Sequence, residues 1–177
     1  MSERRAERRA EPRAERLLIM RHGEAAPGAP DAERALTPRG EREAERMGRW
    51  LGSRTDLDAT RLRLVASPYR RARQTAARIA EPLGLEVETL ALITPDDPPG
   101  AVIDWLLGEP DDRLLMLVSH MPLVAALTGL LVEGRAERGP GFATAAVAEL
   151  EAEVRAAGCA RLRRLVSPAD INDQEVP

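Results

Sequence analysis

Leu17-Leu18-Ile19-Met20-Arg21-His22-Gly23-Glu24 is where the chain first shows a readable pattern: four apolar side chains stop abruptly on a guanidinium, an imidazole and a glycine. A short continuous apolar run bounded by charge fits a strand buried on both faces better than a half-exposed one. The same figure returns twice. Residues 62–66 run into Ser67-Pro68, and residues 114–118 run into Ser119-His120-Met121-Pro122. Amphipathic stretches lie between these runs. Thr37-Pro38 reads as an N-cap followed by proline at the first helical position, ahead of an apolar stripe that includes Ala44, Met47 and Leu51. After Ser67-Pro68, the residues Ala72, Thr75, Ala76, Ile79 and Leu83 share one helical face, and Gly84 closes that helix. Residues 86–90 predict a third strand, 101–107 and 123–131 two more helices, and 145–150 and 161–166 two further strands. Alternating strands and helices predict an α/β fold, a three-layer α/β/α sandwich around a mainly parallel sheet.

Composition narrows the function. With 177 residues, a net charge of −3 and 44 % apolar residues, the chain can bury a real core, and residues 17–177 are expected to form one domain. All 26 basic side chains are arginine, which removes Schiff-base and P-loop lysine chemistry. Aromatic residues make up only 2 %, so stacking platforms for nucleic acid are missing and no nucleic-acid partner is expected. Cys159 is the single cysteine; it permits no internal disulfide and fits a reducing compartment, as a filler or surface residue. Residues 114–132 are long and apolar enough to suggest a membrane span, but Ser119, His120 and Pro122 break them into strand, turn and helix. With no apolar leader either, the expected location is the cytoplasm, away from membranes. Residues 1–16 form an Arg/Glu/Ala-rich extension with six Arg, four Glu and, after Met1, no apolar side chain larger than alanine except Pro12, so disorder is expected there.

In a parallel sheet, ligands sit outside the carboxyl ends of the strands. Three such exits here carry Arg21 and His22, Ser67 and Arg71, and Ser119 and His120, which accounts for both histidines in the protein. Two imidazoles and two guanidinium groups converging on one crevice describe an anion site containing a nucleophile. Arginine suits the task because its planar fork donates paired hydrogen bonds to phosphate oxygens. The turns Ser67-Pro68 and His120-Met121-Pro122 also open helices, whose first amides favour anions. A neutral imidazole can attack phosphorus without a separate base, and phosphoryl transfer then needs mainly positioning and charge neutralisation, which two arginines and a protonated second histidine could supply.

These residues resemble the histidine phosphatase superfamily, also called the phosphoglycerate-mutase-like family. Arg21-His22-Gly23-Glu24 is similar to its signature, Leu36-Thr37-Pro38-Arg39-Gly40 to the segment opening its first helix, Ser67-Pro68-Tyr69-Arg70-Arg71-Ala72-Arg73-Gln74-Thr75 to its second motif, and Val118-Ser119-His120 to the strand delivering its second histidine. The resemblance runs in order over residues 17–167. Ser119-His120-Met121-Pro122-Leu123-Val124, Phe142-Ala143-Thr144 and Ser167-Pro168 look most like its small phosphohistidine phosphatases of the SixA type. The resemblance implies His22 as the nucleophile that is transiently phosphorylated, Arg21 and Arg71 as phosphoryl ligands, and His120 as a donor to the phosphate. Arg71 rather than Arg70 matches the motif spacing. Gly23 is expected to let the phosphate approach closely or to adopt an unusual backbone angle.

One departure bears on substrate. Many members carry an acid after the third strand, whereas residues 90–94 here have no carboxylate; Glu88, Asp96 and Asp97 are the nearby candidates. Imidazole leaves phosphorus more easily than a sugar alkoxide, so a phosphohistidine substrate demands less of a general acid. The connection over residues 90–100 is also too short for a helical lid, which leaves the site open to a protein surface. The expected partner is therefore a phosphorylated protein such as a histidine phosphotransfer domain, with phosphate as product. A small phosphorylated metabolite and a non-catalytic phosphoprotein-binding module are the alternatives. A metal held by His22, His120 and Glu24 lacks a helical His pair or a Cys ligand, so neither metal nor cofactor is expected; Glu24 is expected to orient its loop.

Overall fold

The most apolar strand lies near the middle of the sheet, and its neighbours decide where the site forms. In the computed structural model, which describes residues 15–109 and 113–172, the elements follow in order: β1 (Glu15–Arg21), α1 (Pro38–Ser53), β2 (Arg63–Ala66), α2 (Arg70–Leu83), β3 (Val87–Thr89), α3 (Pro99–Gly108), β4 (Leu115–Ser119), α4 (Leu123–Glu133), β5 (Val147–Ala152) and β6 (Ala160–Val166). The sheet order is β3-β2-β4-β1-β5-β6. The first four strands in that order are parallel, and β5 and β6 add an antiparallel end.

Both faces of the sheet are covered, which is why the strands read as unbroken apolar runs. Leu18 and Met20 of β1, Leu64 of β2 and Met116 and Val118 of β4 pack with Met47 and Leu51 of α1 and Ile79 of α2. Leu17 and Ile19, Val65, and Leu115 and Leu117 face the other way, against Val102 and Leu106 of α3 and Leu127 and Leu131 of α4. This is the three-layer sandwich that the alternation of elements predicts. Thr37 caps α1 by accepting from Gly40 N–H, with Pro38 at the first position, and Gly84 ends α2 in the left-handed region at φ 65°. Residues 114–132 resolve into β4, a turn and α4; among the described residues no helix is long and apolar enough to cross a membrane.

One boundary differs from the expectation. Glu15 and Arg16, placed by composition in the disordered extension, belong to β1: they pair with Ala152 and Glu151 of β5, and Arg16 reaches Asp56 at 2.9 Å. Backbone pairing and charge hold them, neither of which an apolar count detects. Residues 1–14 of the expected extension lie outside the described residues. β5 also carries the fully buried Glu149, which accepts from Arg54 at 2.8 Å and lies 3.3 Å from Arg16 and 3.2 Å from Arg164. A buried carboxylate needs such partners, because desolvation otherwise costs more than one contact returns.

Candidate active site

Because β2, β4 and β1 are neighbours, their three exits open onto one place. Arg21 pairs with Ser119 across β1 and β4, and Ala66 pairs with Val118 across β2 and β4. Just beyond, His22 N–H donates to Ser119 O at 2.9 Å and Ser67 N–H to Val118 O at 3.0 Å. His22 is clamped from its other side by Ala145, whose N–H donates to His22 O at 3.0 Å. Ala145 is fully buried and has φ 58°, a strained angle for an alanine that tight packing must impose.

The four polar side chains converge. The His22 and His120 rings lie 5.1 Å apart. His22 Nδ1 is 2.6 Å from Gly23 O; only an Nδ1–H can donate to a carbonyl, so Nε2 carries the lone pair. Arg71 Nε–H donates to that His22 Nε2 at 3.2 Å. Arg21 enters from β1, with Nη1 donating to Phe142 O at 2.7 Å and a buried Nε that has no partner among the described residues. His120 Nε2 is 2.7 Å from Ser67 Oγ, while its Nδ1 is buried without a partner among the described residues. Ser67 Oγ also accepts from Tyr69 N–H at 3.3 Å, which ties the turn after β2 to the same ring. The Tyr69 ring stands edge-on to His120 at 5.0 Å and under the Arg71 guanidinium at 5.1 Å.

Burial sets the charge state. Desolvation pushes His22 down to about 4, opposed by its bond to Gly23 O and reinforced by Arg71, Arg21 and Arg34. Burial, with His22 and Arg71 adding to it, pushes His120 down to about 3. The second histidine is therefore neutral at neutral pH, not protonated as the sequence reading had it; it still offers one N–H. A stability consequence follows. Unfolded histidine titrates near 6.5, so below that pH the unfolded chain binds protons that the folded site refuses, down to about 4 at His22 and about 3 at His120. Stability should fall by up to about 1.4 kcal/mol per pH unit for each histidine as pH drops below 6.5. Urea melts at pH 7 and pH 5 check this: a His22→Asn/His120→Asn double variant should lose much of the difference, and an equal difference in both proteins would refute it.

The loops supply details that the sequence reading lacked or explained otherwise. Gly23 has an ordinary backbone angle, and its N–H donates to Thr75 Oγ1 at 3.0 Å. Its missing side chain serves packing: a Cβ there would sit 2.5 Å from Gly40 O. Glu24 does orient the loop, accepting from the Thr37 hydroxyl at 2.8 Å while its own N–H donates to Glu43. Two of the three candidate acids are engaged by other groups. Glu88 pairs with Arg63, Asp97 accepts from Thr94 N–H and Oγ1–H, and Asp96 is exposed to solvent. Asp31, in a short 3-10 turn (Asp31–Glu33), brings a carboxylate to the site: its Oδ2 accepts from Arg71 Nη2 at 3.0 Å, and its backbone O from Nη1 at 2.7 Å. Nothing in its local pattern signals this, since the contact spans 40 residues. Among the described residues no three His, Cys, Asp or Glu side chains gather as metal ligands.

A fold with two imidazoles and two guanidinium groups at adjacent strand exits defines a class. Residues 17–93 match the pattern of the Histidine phosphatase superfamily (branch 1). The chain is 35 % identical over 148 residues to the phosphohistidine phosphatase SixA homolog of Haemophilus influenzae, covering 76 % of this chain and 86 % of that one. It belongs to the histidine phosphatase superfamily, and it is a phosphatase of SixA-like fold. Its backbone superposes on the protein histidine phosphatase SixA complexed with tungstate with a TM-score of 0.77 and 30 % identity, over 89 % of this chain and 99 % of that one. For the structure of a putative SixA from Nakamurella multipartitia the values are 0.71 and 25 %, over 88 % and 96 %.

Proposed function

We propose that this protein removes the phosphoryl group from phosphohistidine on a signalling phosphotransfer protein in the cytoplasm, through a His22 phosphoenzyme and without a metal. The observation that carries the reading is the unprotonated His22 Nε2, facing the Arg71 guanidinium with His120 5.1 Å away ring to ring. In the first step His22 Nε2 attacks phosphorus, and the bond to the substrate nitrogen breaks with its electron pair going to that ring. Arg21 and Arg71 neutralise the equatorial oxygens, and His120 donates its N–H to the phosphoryl group. Water then attacks the phosphoenzyme, releasing phosphate and returning His22.

Two features support a protein-borne phosphohistidine over a sugar phosphate. Of the three candidate acids, Glu88 and Asp97 are engaged by Arg63 and Thr94 and Asp96 is exposed to solvent, while an imidazole protonated at its other ring nitrogen leaves without a general acid. The connection from β3 to α3 builds no helix over the site, so a protein surface can reach it. The names of the relatives, phosphohistidine phosphatases, agree with this reading. The test is phosphate release by EDTA-treated protein from a phosphorylated histidine phosphotransfer domain, beside a panel of sugar and glycerate phosphates. Faster turnover of the phosphorylated domain is expected. Faster turnover of a small ester would transfer the function to metabolite hydrolysis, and no turnover of either would make the site a binding module.

A further inference from the structure

A carboxylate inside an anion site needs an explanation. Asp31 is held against Arg71 by two contacts and against Arg34 Nη1 by a third, at 2.9 Å, and its side chain is still 52 % exposed. The turn that carries it is pinned. Ala26 N–H donates to Ala35 O and Arg34 Nε–H to Ala26 O, both at 2.8 Å, and Leu36 N–H donates to Gln74 Oε1 on α2 at 2.8 Å. The negative charge is thus built into the rim of the site. The bonds from Arg34 and then Arg71 hold the Asp31 carboxyl below its ordinary value, so it is ionised.

Arg71 keeps capacity for substrate. Of its five N–H groups, one points to His22 and two to Asp31, which leaves two for phosphoryl oxygens. A phosphoryl group seated there lies beside the exposed edge of the Asp31 carboxylate, whose oxygens retain accepting lone pairs. Anything attached to that phosphorus meets a fixed negative charge. We propose that Asp31 is the specificity-determining residue of this site, selecting phosphoryl groups carried on N–H-bearing leaving groups, such as the imidazole of phosphohistidine, over phosphate esters flanked by carboxylates.

The proposal deepens the phosphohistidine reading and rests on it. When the P–N bond breaks, the electron pair goes to the bonded ring nitrogen. A proton already on the other ring nitrogen lets imidazole depart neutral, and a carboxylate accepting from that N–H favours the protonated ring. An ester with its own carboxylate brings only repulsion.

Asp31→Asn keeps the shape, an accepting oxygen and the backbone contact to Arg71 while removing the charge; Asp31→Ser serves as a second variant, and thermal unfolding verifies that both fold. Calorimetric titration with inorganic phosphate reads the charge without any turnover. Both variants should bind phosphate more tightly, about fivefold to tenfold for a unit charge removed at this range. In turnover, kcat/KM should fall for N-phosphoimidazole and rise for 3-phosphoglycerate, with p-nitrophenyl phosphate between them. Unchanged or weaker phosphate binding, or one common factor for all three substrates, would overturn the proposal and reduce Asp31 to a residue that positions Arg71. Tighter phosphate binding by the variants combined with a wild-type protein inactive on every substrate would overturn the phosphohistidine reading and this substrate selection with it, and would locate the failure in turnover instead of in the charge.

Discussion

Replacing His22 with alanine is expected to reduce phosphate release by on the order of 10⁴-fold or more, as loss of a covalent nucleophile does. The effect should fall almost entirely on kcat. On the phosphoenzyme reading Arg21 and Arg71 stay in place to bind the substrate phosphoryl group, and the backbone clamp from Ser119 and Ala145 does not involve the imidazole. Rapid acid-free quenching of the wild-type protein should trap one acid-labile phosphoryl group on His22. The alanine protein should trap none, yet still bind phosphate. Full turnover by His22→Ala would end the phosphoenzyme route, whatever the substrate. The expected pH behaviour follows from burial: with His22 pushed down to about 4, the nucleophile stays neutral through mild acid, and this histidine limits kcat/KM only as pH falls toward that value.

The fold was legible because its information is local. Leu17 to Met20, Leu64 to Ala66 and Leu115 to Val118 are buried on both faces, so each appears as an uninterrupted apolar run, and Thr37-Pro38 and Gly84 mark helix ends by chemistry that needs no partner. Glu15 and Arg16 escaped because strand membership there comes from pairing with β5 and from ion pairs with Asp56 and Glu149, which lie far off in sequence. The antiparallel end of the sheet reads as strands without their direction, because direction is set by the neighbours β5 finds, of which β1 lies far off in sequence.

The four polar groups of the site were legible for a related reason. Each stands at the end of a buried run, and rules of sheet geometry bring such ends together. What those groups do to one another was less so. His120 is neutral because burial, His22 and Arg71 all act against its protonation, and none of these is visible around residue 120. Gly23 reads as a glycine kept for ligand approach or an unusual backbone angle; the angle is ordinary, and the Gly40 backbone also occupies the place of a side chain, an inter-loop contact that local sequence does not show. Asp31 carries no signal in the sequence because its carboxylate is recruited from the loop between β1 and α1 by a contact that spans 40 residues.

Arg71→Ala carries the second large effect, a loss in kcat/KM of roughly 10³-fold, as expected for a guanidinium that neutralises charge developing in phosphoryl transfer. Three things fail together. The transition state loses two N–H donors, His22 Nε2 loses the neighbour 3.2 Å away, and Asp31 loses the partner that balances its charge at the rim. The loss should therefore appear in KM as well as kcat, unlike that of His22→Ala. Lysine should rescue little, because a single ammonium cannot reproduce the planar fork that holds Asp31 O, Asp31 Oδ2 and His22 Nε2 at once. The variant also carries a signature that simple misfolding would not produce. Arg71 is one of the charges pressing His22 below its ordinary value, so removing it must raise the His22 pKa, and the acid limb of the residual activity should move to higher pH. A residual activity with an unmoved acid limb would place Arg71 away from the nucleophile during the reaction, contrary to the contact seen in the structure.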